Sequence, residues 1–205
     1  MTGNLSTPLL AVIAGGKSRR FGRDKTQLEV AGATLLERCC ALGLAEGLPV
    51  AVIGRTRPEH WPAALSVVGF HLDARPGMGP LGGIATALLV AERLAESRAV
   101  VAVAADMPAF DRAALTWLRE LGAAPIAVRA RIPGHDGGLE PLCALYRPTL
   151  LAAVNARLDR GDRAVHGISE EPGVEIVPAP AWLQARLVNI NTPEDWRGFT
   201  APAAQ

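Results

Sequence analysis

The 205-residue sequence predicts an α/β fold: a single three-layer domain built on a mostly parallel, Rossmann-like sheet with helices on both faces. Unbroken apolar runs at 9–14, 49–53 and 99–105 carry the mark of strands buried on both faces. Segments of helical periodicity after residue 34 and over 81–95 separate them, so strand and helix alternate through the first two-thirds of the chain. The length suits one well-buried domain and is short for two. The expected domain is therefore 1–205, with a core of 8–199 and frayed ends at 1–7 and 200–205.

The first run stops abruptly at Gly15 and Gly16, and Lys17, Arg19, Arg20, Arg23 and Lys25 follow. Successive N–H groups in a glycine turn form a concavity for anions, and nearby cations add charge-assisted bonds to phosphate oxygens. This is the composition of a polyphosphate cradle. A P-loop would need glycine where Ala11 stands, and a dinucleotide fingerprint does not fit glycines at 15, 16 and 22. Lys17 and Lys25 are the only lysines in the chain, which suggests that a compact point charge is wanted here rather than a planar guanidinium.

Further along, 27–30 is expected to be extended and Ala31-Gly32 to turn it. Thr34 and Glu37 have capping-box spacing, and Leu35, Leu36, Cys39 and Leu42 form a helical stripe. Residues 49–53 are a strand, 58–65 a short helix with His60 and Trp61, and 66–72 a strand closing on Asp73. Glycines and prolines from Arg75 to Gly83 make a loop that feeds the helix at 81–95, whose N-terminus favours an anion or a ligand carbonyl. Residues 99–105 end at Asp106-Met107-Pro108, and Asp111 caps a helix to about Leu121. Strands at 125–129 and 139–146 flank a polar loop at 130–138; a helix covers 148–158 and Gly161-Asp162-Arg163 turns. Residues 174–177 are extended, 187–190 read as a last strand, and Thr192-Pro193-Glu194-Asp195 starts a helix. Right-handed crossovers would gather the 15–25 loop, Asp73 and Asp106 along one rim, where open α/β sheets bind ligands.

A formal net charge of +1, with no basic field beyond the loop, excludes nucleic acid as the main partner. The first apolar run, of about six residues, is too short for a signal core or a membrane span. Cys39, Cys40 and Cys143 make no C-x-x-C pair and cannot close a disulfide framework, so a cytoplasmic protein is expected. His60, His71, His135 and His166 are scattered and offer no zinc site, and no serine stands in a nucleophile elbow. Glycine turn, cations and strand-end acid are the parts that hold a nucleoside triphosphate with Mg2+, which needs only one or two carboxylates beside the phosphates. Without an evident protein nucleophile, direct phosphoryl or nucleotidyl transfer between substrates fits best.

The chain also resembles a known family through Ala14-Gly15-Gly16-Lys17-Ser18-Arg19-Arg20-Phe21-Gly22-Arg23-Asp24-Lys25, Asp73 with Pro76-Gly77-Met78-Gly79-Pro80-Leu81-Gly82-Gly83, and Asp106-Met107-Pro108. Glu140-Pro141-Leu142, Ala144-Leu145-Tyr146, Gly161-Asp162-Arg163 and Asn189-Ile190-Asn191-Thr192-Pro193-Glu194-Asp195 extend the likeness over nearly the whole chain. The family is that of the molybdenum cofactor guanylyltransferases, with a nucleotide-diphospho-sugar transferase-like fold. The resemblance implies transfer of GMP from GTP to the phosphate of molybdopterin, with Mg2+ as cofactor and molybdoenzyme maturation proteins as further partners. It implies nucleotide contacts at Ile13, Ala14, Gly15, Gly16 and Ser18, phosphate contacts at Arg20 and Lys25, a nucleoside contact at Asp73, and Mg2+ at Asp106. Lys25, Arg20 and Asp106 would be catalytic, with Asn189 and Asn191 toward the pterin. Phe21 stands where the family usually has methionine, and Ile53-Gly54-Arg55 where it often has an asparagine that touches the base. A cytidylyltransferase on the same pterin or another small phosphate ester is the nearest alternative, although Ala14-Gly15-Gly16 leans toward guanine. A non-catalytic nucleotide-binding partner in molybdoenzyme maturation is the alternative of another class, and Asp106 together with Lys25 speaks against it.

Overall fold

The computed structural model describes residues 7–16, 21–94, 99–121, 126–129 (backbone) and 138–199. Strand β1 (Leu9–Ile13) leads through a 3₁₀ turn at Lys25–Gln27 to a hairpin of β2 (Glu29–Val30) and β3 (Ala33–Thr34). Ala31 and Gly32 both adopt positive φ, 53° and 80°, as a tight two-residue hairpin turn requires. Helix α1 (Leu35–Ala45) starts on the expected Thr34/Glu37 capping box. Then come β4 (Val50–Ile53), β5 (Gly69–His71), α2 (Gly79–Arg93), β6 (Val100–Ala104) and α3 (Arg112–Glu120), the last capped by Asp111 as expected. The chain continues with β7 (Ile126–Arg129), β8 (Leu139–Tyr146), α4 (Leu151–Asp159), β9 (Glu175–Pro178), α5 (Ala181–Gln184) and α6 (Pro193–Gly198).

The seven-stranded sheet has the order β5-β4-β1-β6-β8-β7-β9. Only β8 is antiparallel to its neighbours, so the sheet is mostly parallel as expected. Alternate strand residues face opposite layers. Leu10, Val12, Val52, Val101, Val103 and Cys143 pack with α1 and α3, whereas Leu9, Ile53, Val100 and Tyr146 pack with α2 and α4. On the α2 side, Ala51, Ala11, Ala102 and Ala144 lie in register across four adjacent strands. Opposite them α2 carries Gly82, Gly83, Ala85 and Ala87. Small residues on both surfaces let helix and sheet approach closely: a Cβ at Gly83 would come within 3.1 Å of Ile13 Cγ2. That approach brings the N-terminus of α2 to the rim.

Several expectations change. Residues 58–65 form no helix, only a 3₁₀ turn at Ala63–Leu65, because Pro62 falls inside the segment, withholds the N–H that would bond the carbonyl of residue 58, and its ring clashes with that carbonyl. The strand expected at 66–72 shrinks to Gly69–His71, its first half taken up by the turn in which Val68 N–H bonds Leu65 O. Helix α2 begins at Gly79-Pro80, two residues early, and 27–30 opens in the 3₁₀ turn. Residues 187–190 make no ladder: β1 and β8 already occupy both edges of β6, leaving one bond from Ile190 N–H to Asp106 O at 2.9 Å. The polar loop at 130–138, except its last residue, lies outside the described residues. Among the described residues no helix is long and apolar enough to cross a membrane.

Candidate active site

A cavity of about 670 Å³ opens over the carboxyl ends of the parallel strands. Ile13 at the end of β1 and Ala14, Gly15 and Gly16 after it line the cavity, with Asp73 after β5, and Ala105 and Asp106 after β6; Gly79 and Pro80 come from the start of α2. Lys25, Thr26 and Asn191 complete its outer wall. Expected site residues that meet here are thus Ile13, Ala14, Gly15, Gly16, Lys25, Asp73, Asp106 and Asn191. Ser18 and Arg20 lie outside the described residues, as do Lys17 and Arg19. Asn189 stands beside the cavity, not in its lining.

One end is narrow and made of backbone. Gly54, at φ 90°, lies so close to Gly15 that a Cβ on it would fall 2.6 Å from Gly15 Cα. Only glycine fits there. A Cβ on Gly15 would in turn meet Asp73 Oδ2 at 3.2 Å. Ala14 N–H bonds Ile53 O at 2.9 Å and Gly54 N–H bonds His71 O at 2.7 Å, so the strand ends hold this pinch. Buried Thr86 accepts from Ala74 N–H at 3.0 Å and ties the segment after Asp73 to α2. Asp73 Oδ1 is buried without a hydrogen-bond partner among the described residues, and burial raises the pKa of the carboxyl. Such an acceptor suits an N–H or O–H donor brought by a ligand.

The other end carries charge. Lys25 Nζ pairs with Asp106 Oδ2 and donates to Asn191 Oδ1 at 3.3 Å. Lys25 opens the 3₁₀ turn that Asp24 caps, with Asp24 Oδ1 accepting from Thr26 N–H at 3.0 Å and from the Thr26 hydroxyl at 2.8 Å. Arg55, just past Gly54, spans to this turn: Nη2 meets Asp24 Oδ2 at 2.6 Å and Nη1 donates to the Thr26 hydroxyl. Burial opposes ionisation of Asp24, but the bonds from Arg55 and Thr26 outweigh it and hold the carboxyl below its usual range.

Segment 189–191 runs beside Asp106. Ile190 is fully buried against Phe21, Leu28 and Leu35, while the asparagines on either side reach to different partners. Asn191 goes to Lys25, and Asn189 Nδ2 donates to Glu140 Oε2 at 3.5 Å. The first turn of α6 anchors the segment, Asp195 accepting from Asn191 N–H at 2.8 Å and Thr192 N–H at 2.7 Å.

Glu140 was not singled out as a site residue from the sequence. Continuing the β6–β8 register from Val103↔Cys143 brings it level with Asp106. Burial pushes its carboxyl up to about 7; the Asn189 bond pulls down and the Asp106 charge pushes up. Its ordinary value is 4.5, so below that pH both folded and unfolded chains hold the proton and nothing is lost. Between 4.5 and about 7 the unfolded chain releases it while the folded chain keeps it, so stability falls as pH rises through that window and then levels off. Glu140→Gln should therefore raise the melting temperature at about pH 8 more than at about pH 5 in metal-free buffer. Equal shifts at both pH values in calorimetry would show that this carboxyl ionises normally.

The model of the MobA-like NTP transferase domain matches residues 10–174. A protein of Opitutus terrae named probable molybdenum cofactor guanylyltransferase is 35% identical over 200 residues, covering 95% of this chain and 96% of its own length. One of the same name from Chloroflexus aggregans is 34% identical over 198 residues, 90% of this chain and 89% of its own. The crystal structure of molybdopterin-guanine dinucleotide biosynthesis protein A from Archaeoglobus fulgidus shares the fold, with a TM-score of 0.69, 23% identity and coverage of 93% and 95%. One residue in three is thus shared with relatives aligned over almost their whole length, and the family model spans β1 to the threshold of β9. This chain belongs to the MobA-like NTP transferases.

Proposed function

We propose that this chain transfers GMP from GTP to the phosphate of molybdenum-molybdopterin, releasing pyrophosphate, in molybdenum cofactor biosynthesis. The observation that carries the reading is the union, in one cavity, of a backbone-lined glycine turn with the unpartnered Asp73 oxygen at one end and a lysine–aspartate pair at the other. The relatives' name supports the same chemistry. A phosphate oxygen of the acceptor attacks the α-phosphorus of GTP, and the bond to the β-phosphate breaks as pyrophosphate leaves with its electron pair. No protein nucleophile is needed. Cys39, Cys40 and Cys143 are buried, and burial pushes all three thiols up, Cys39 to about 12, so they stay protonated.

In this reading Ile13 to Gly16 hold base and phosphates through their backbone, and Asp73 offers its unpartnered oxygen to the nucleoside. Lys25 meets charge building on the phosphates, where preorganised cations act most strongly. Ser18 and Arg20 add phosphate contacts, and Asn189 and Asn191 lie toward the pterin. Asp106 is the proposed Mg2+ ligand. Hard oxygen donors fit that ion, and Asp106 supplies a carboxylate beside the Asn191 amide oxygen. No group of three or more His, Cys, Asp or Glu gathers among the described residues, so the remaining ligands would be phosphate oxygens and water. Bound Mg2+ supplies charge neutralisation across the phosphates. Molybdoenzyme maturation proteins as recipients, and the cytoplasm as the place, belong to the same proposal.

GTP should bind at least ~10-fold more tightly than CTP with magnesium present, because a pocket built to pair with a guanine edge rejects a base that leaves those groups unpaired. Calorimetry giving equal or reversed affinities would move the assignment to a cytidylyltransferase. Tight GTP binding without product would instead favour a non-catalytic nucleotide carrier.

A further inference from the structure

We propose that Arg55 is a positioning residue for Lys25, setting the ammonium group over the phosphate site; this rests on the proposed transfer reaction. Lys25 is held from both sides. Its neighbours Asp24 and Thr26 are the two residues that the Arg55 guanidinium grips, one through each terminal nitrogen. Asp24 and Thr26 are also bonded to each other twice, so fork, carboxylate and hydroxyl form a closed polar ring beneath the turn. Thr26 is buried and lines the cavity, which places the ring next to the site itself.

The brace starts at the right place. Arg55 follows Gly54, and Gly54 is locked against Gly15 by contact that admits no side chain. The glycine pinch and the turn that carries Lys25 are therefore joined by one side chain from the end of β4, whose planar fork fixes direction as well as distance. A lysine at 55 would supply the charge but not two parallel bonds. Arg55 Nε is buried without a hydrogen-bond partner among the described residues. The guanidinium thus reaches the turn through its two terminal nitrogens alone.

Lys17 and Lys25 are the only lysines, so labelling lysine with 13C at Cε gives a spectrum of two signals. The signal absent from Lys25→Arg identifies Lys25. In Arg55→Ala and in Arg55→Lys the Lys25 signal should move toward the position of a solvated lysine, the third signal that Arg55→Lys adds being told apart because Lys25→Arg in that background removes only Lys25. Asp24→Asn, which weakens the ring from its other side, should move it the same way. The kcat of GMP transfer should fall on the order of 10- to 100-fold in both Arg55 variants, the scale of a misplaced reacting group, with KM for GTP changed less than about threefold. Adding Arg55→Ala to Lys25→Ala should cost nothing more, as residues acting through one another are non-additive. A Lys25 signal unmoved in folded Arg55→Lys, or an additive loss in the double variant, would overturn the proposal. The spectrum needs no substrate. A native chain that makes no GMP product would overturn the proposed function and leave the spectral test of Arg55 standing.

Discussion

Asp106→Asn should give a protein that melts close to the native temperature, binds GTP weakly, gains nothing from added magnesium, and releases pyrophosphate on the order of 10²–10³ times more slowly. The structural bond at this position runs from Ile190 N–H to the main-chain carbonyl of residue 106, which asparagine keeps. Its side-chain oxygen can still accept from Lys25. What disappears is the negative charge that a hard cation seeks. The Lys25–Asp106 pair is mostly buried, with side chains 15% and 19% exposed, so losing its charge attraction has a cost, which the hydrogen bond kept from Lys25 to the asparagine oxygen limits. Lost stability with retained turnover would assign the carboxylate to holding the turn. Ordinary magnesium-dependent turnover would mean that the metal is held elsewhere.

Lys25→Ala should cost transition-state stabilisation of about 2.7–4 kcal/mol, the range for a single preorganised donor facing developing charge. Two effects act together. The cation is removed from the phosphates, and the Asp106 carboxylate loses the partner that neutralises it beside the polyanion. Lys17→Ala should cost much less, since the resemblance places the phosphate lysine at 25. Pyrophosphate release by the two variants decides between them, and comparable losses would show that the roles are shared or reversed.

Much of the frame was legible because buried parallel strands leave an unambiguous trace. The runs ending at Gly15 and Asp106 are apolar on both faces and stop where the rim begins, so the ligand-bearing edge could be read directly. The α1 capping box was readable to the residue, since Thr34 and Glu37 act through local bonds. Lys25 stood out by rarity. Arg55 carried no such signal: it is one of many arginines, and its role depends on β4 ending beside β1, a pairing that no local pattern encodes. Glu140 was quoted in a motif, yet its closeness to Asp106 follows only once β8 is known to run antiparallel to β6. The pinch at Gly54 was visible as a departure from the family pattern and not as a contact. Residues 187–190 misled because an apolar stretch says nothing about whether a sheet edge remains free to receive it.

The asparagine that meets Lys25 lies 166 residues further along the chain, and Asp106 lies 81. The contact to Asn191 closes a longer loop than any strand pairing of the sheet, of which β1 with β6 spans the most, and the entropy of that loop must be met before the contact returns anything. The sheet and its helices can condense through nearer neighbours, such as β1 with β4, without segment 189–191 in place. The strand pairings of the sheet thus need no residue beyond Pro178, whereas the Asn191 end of the polar bridge comes from the chain that follows the last strand.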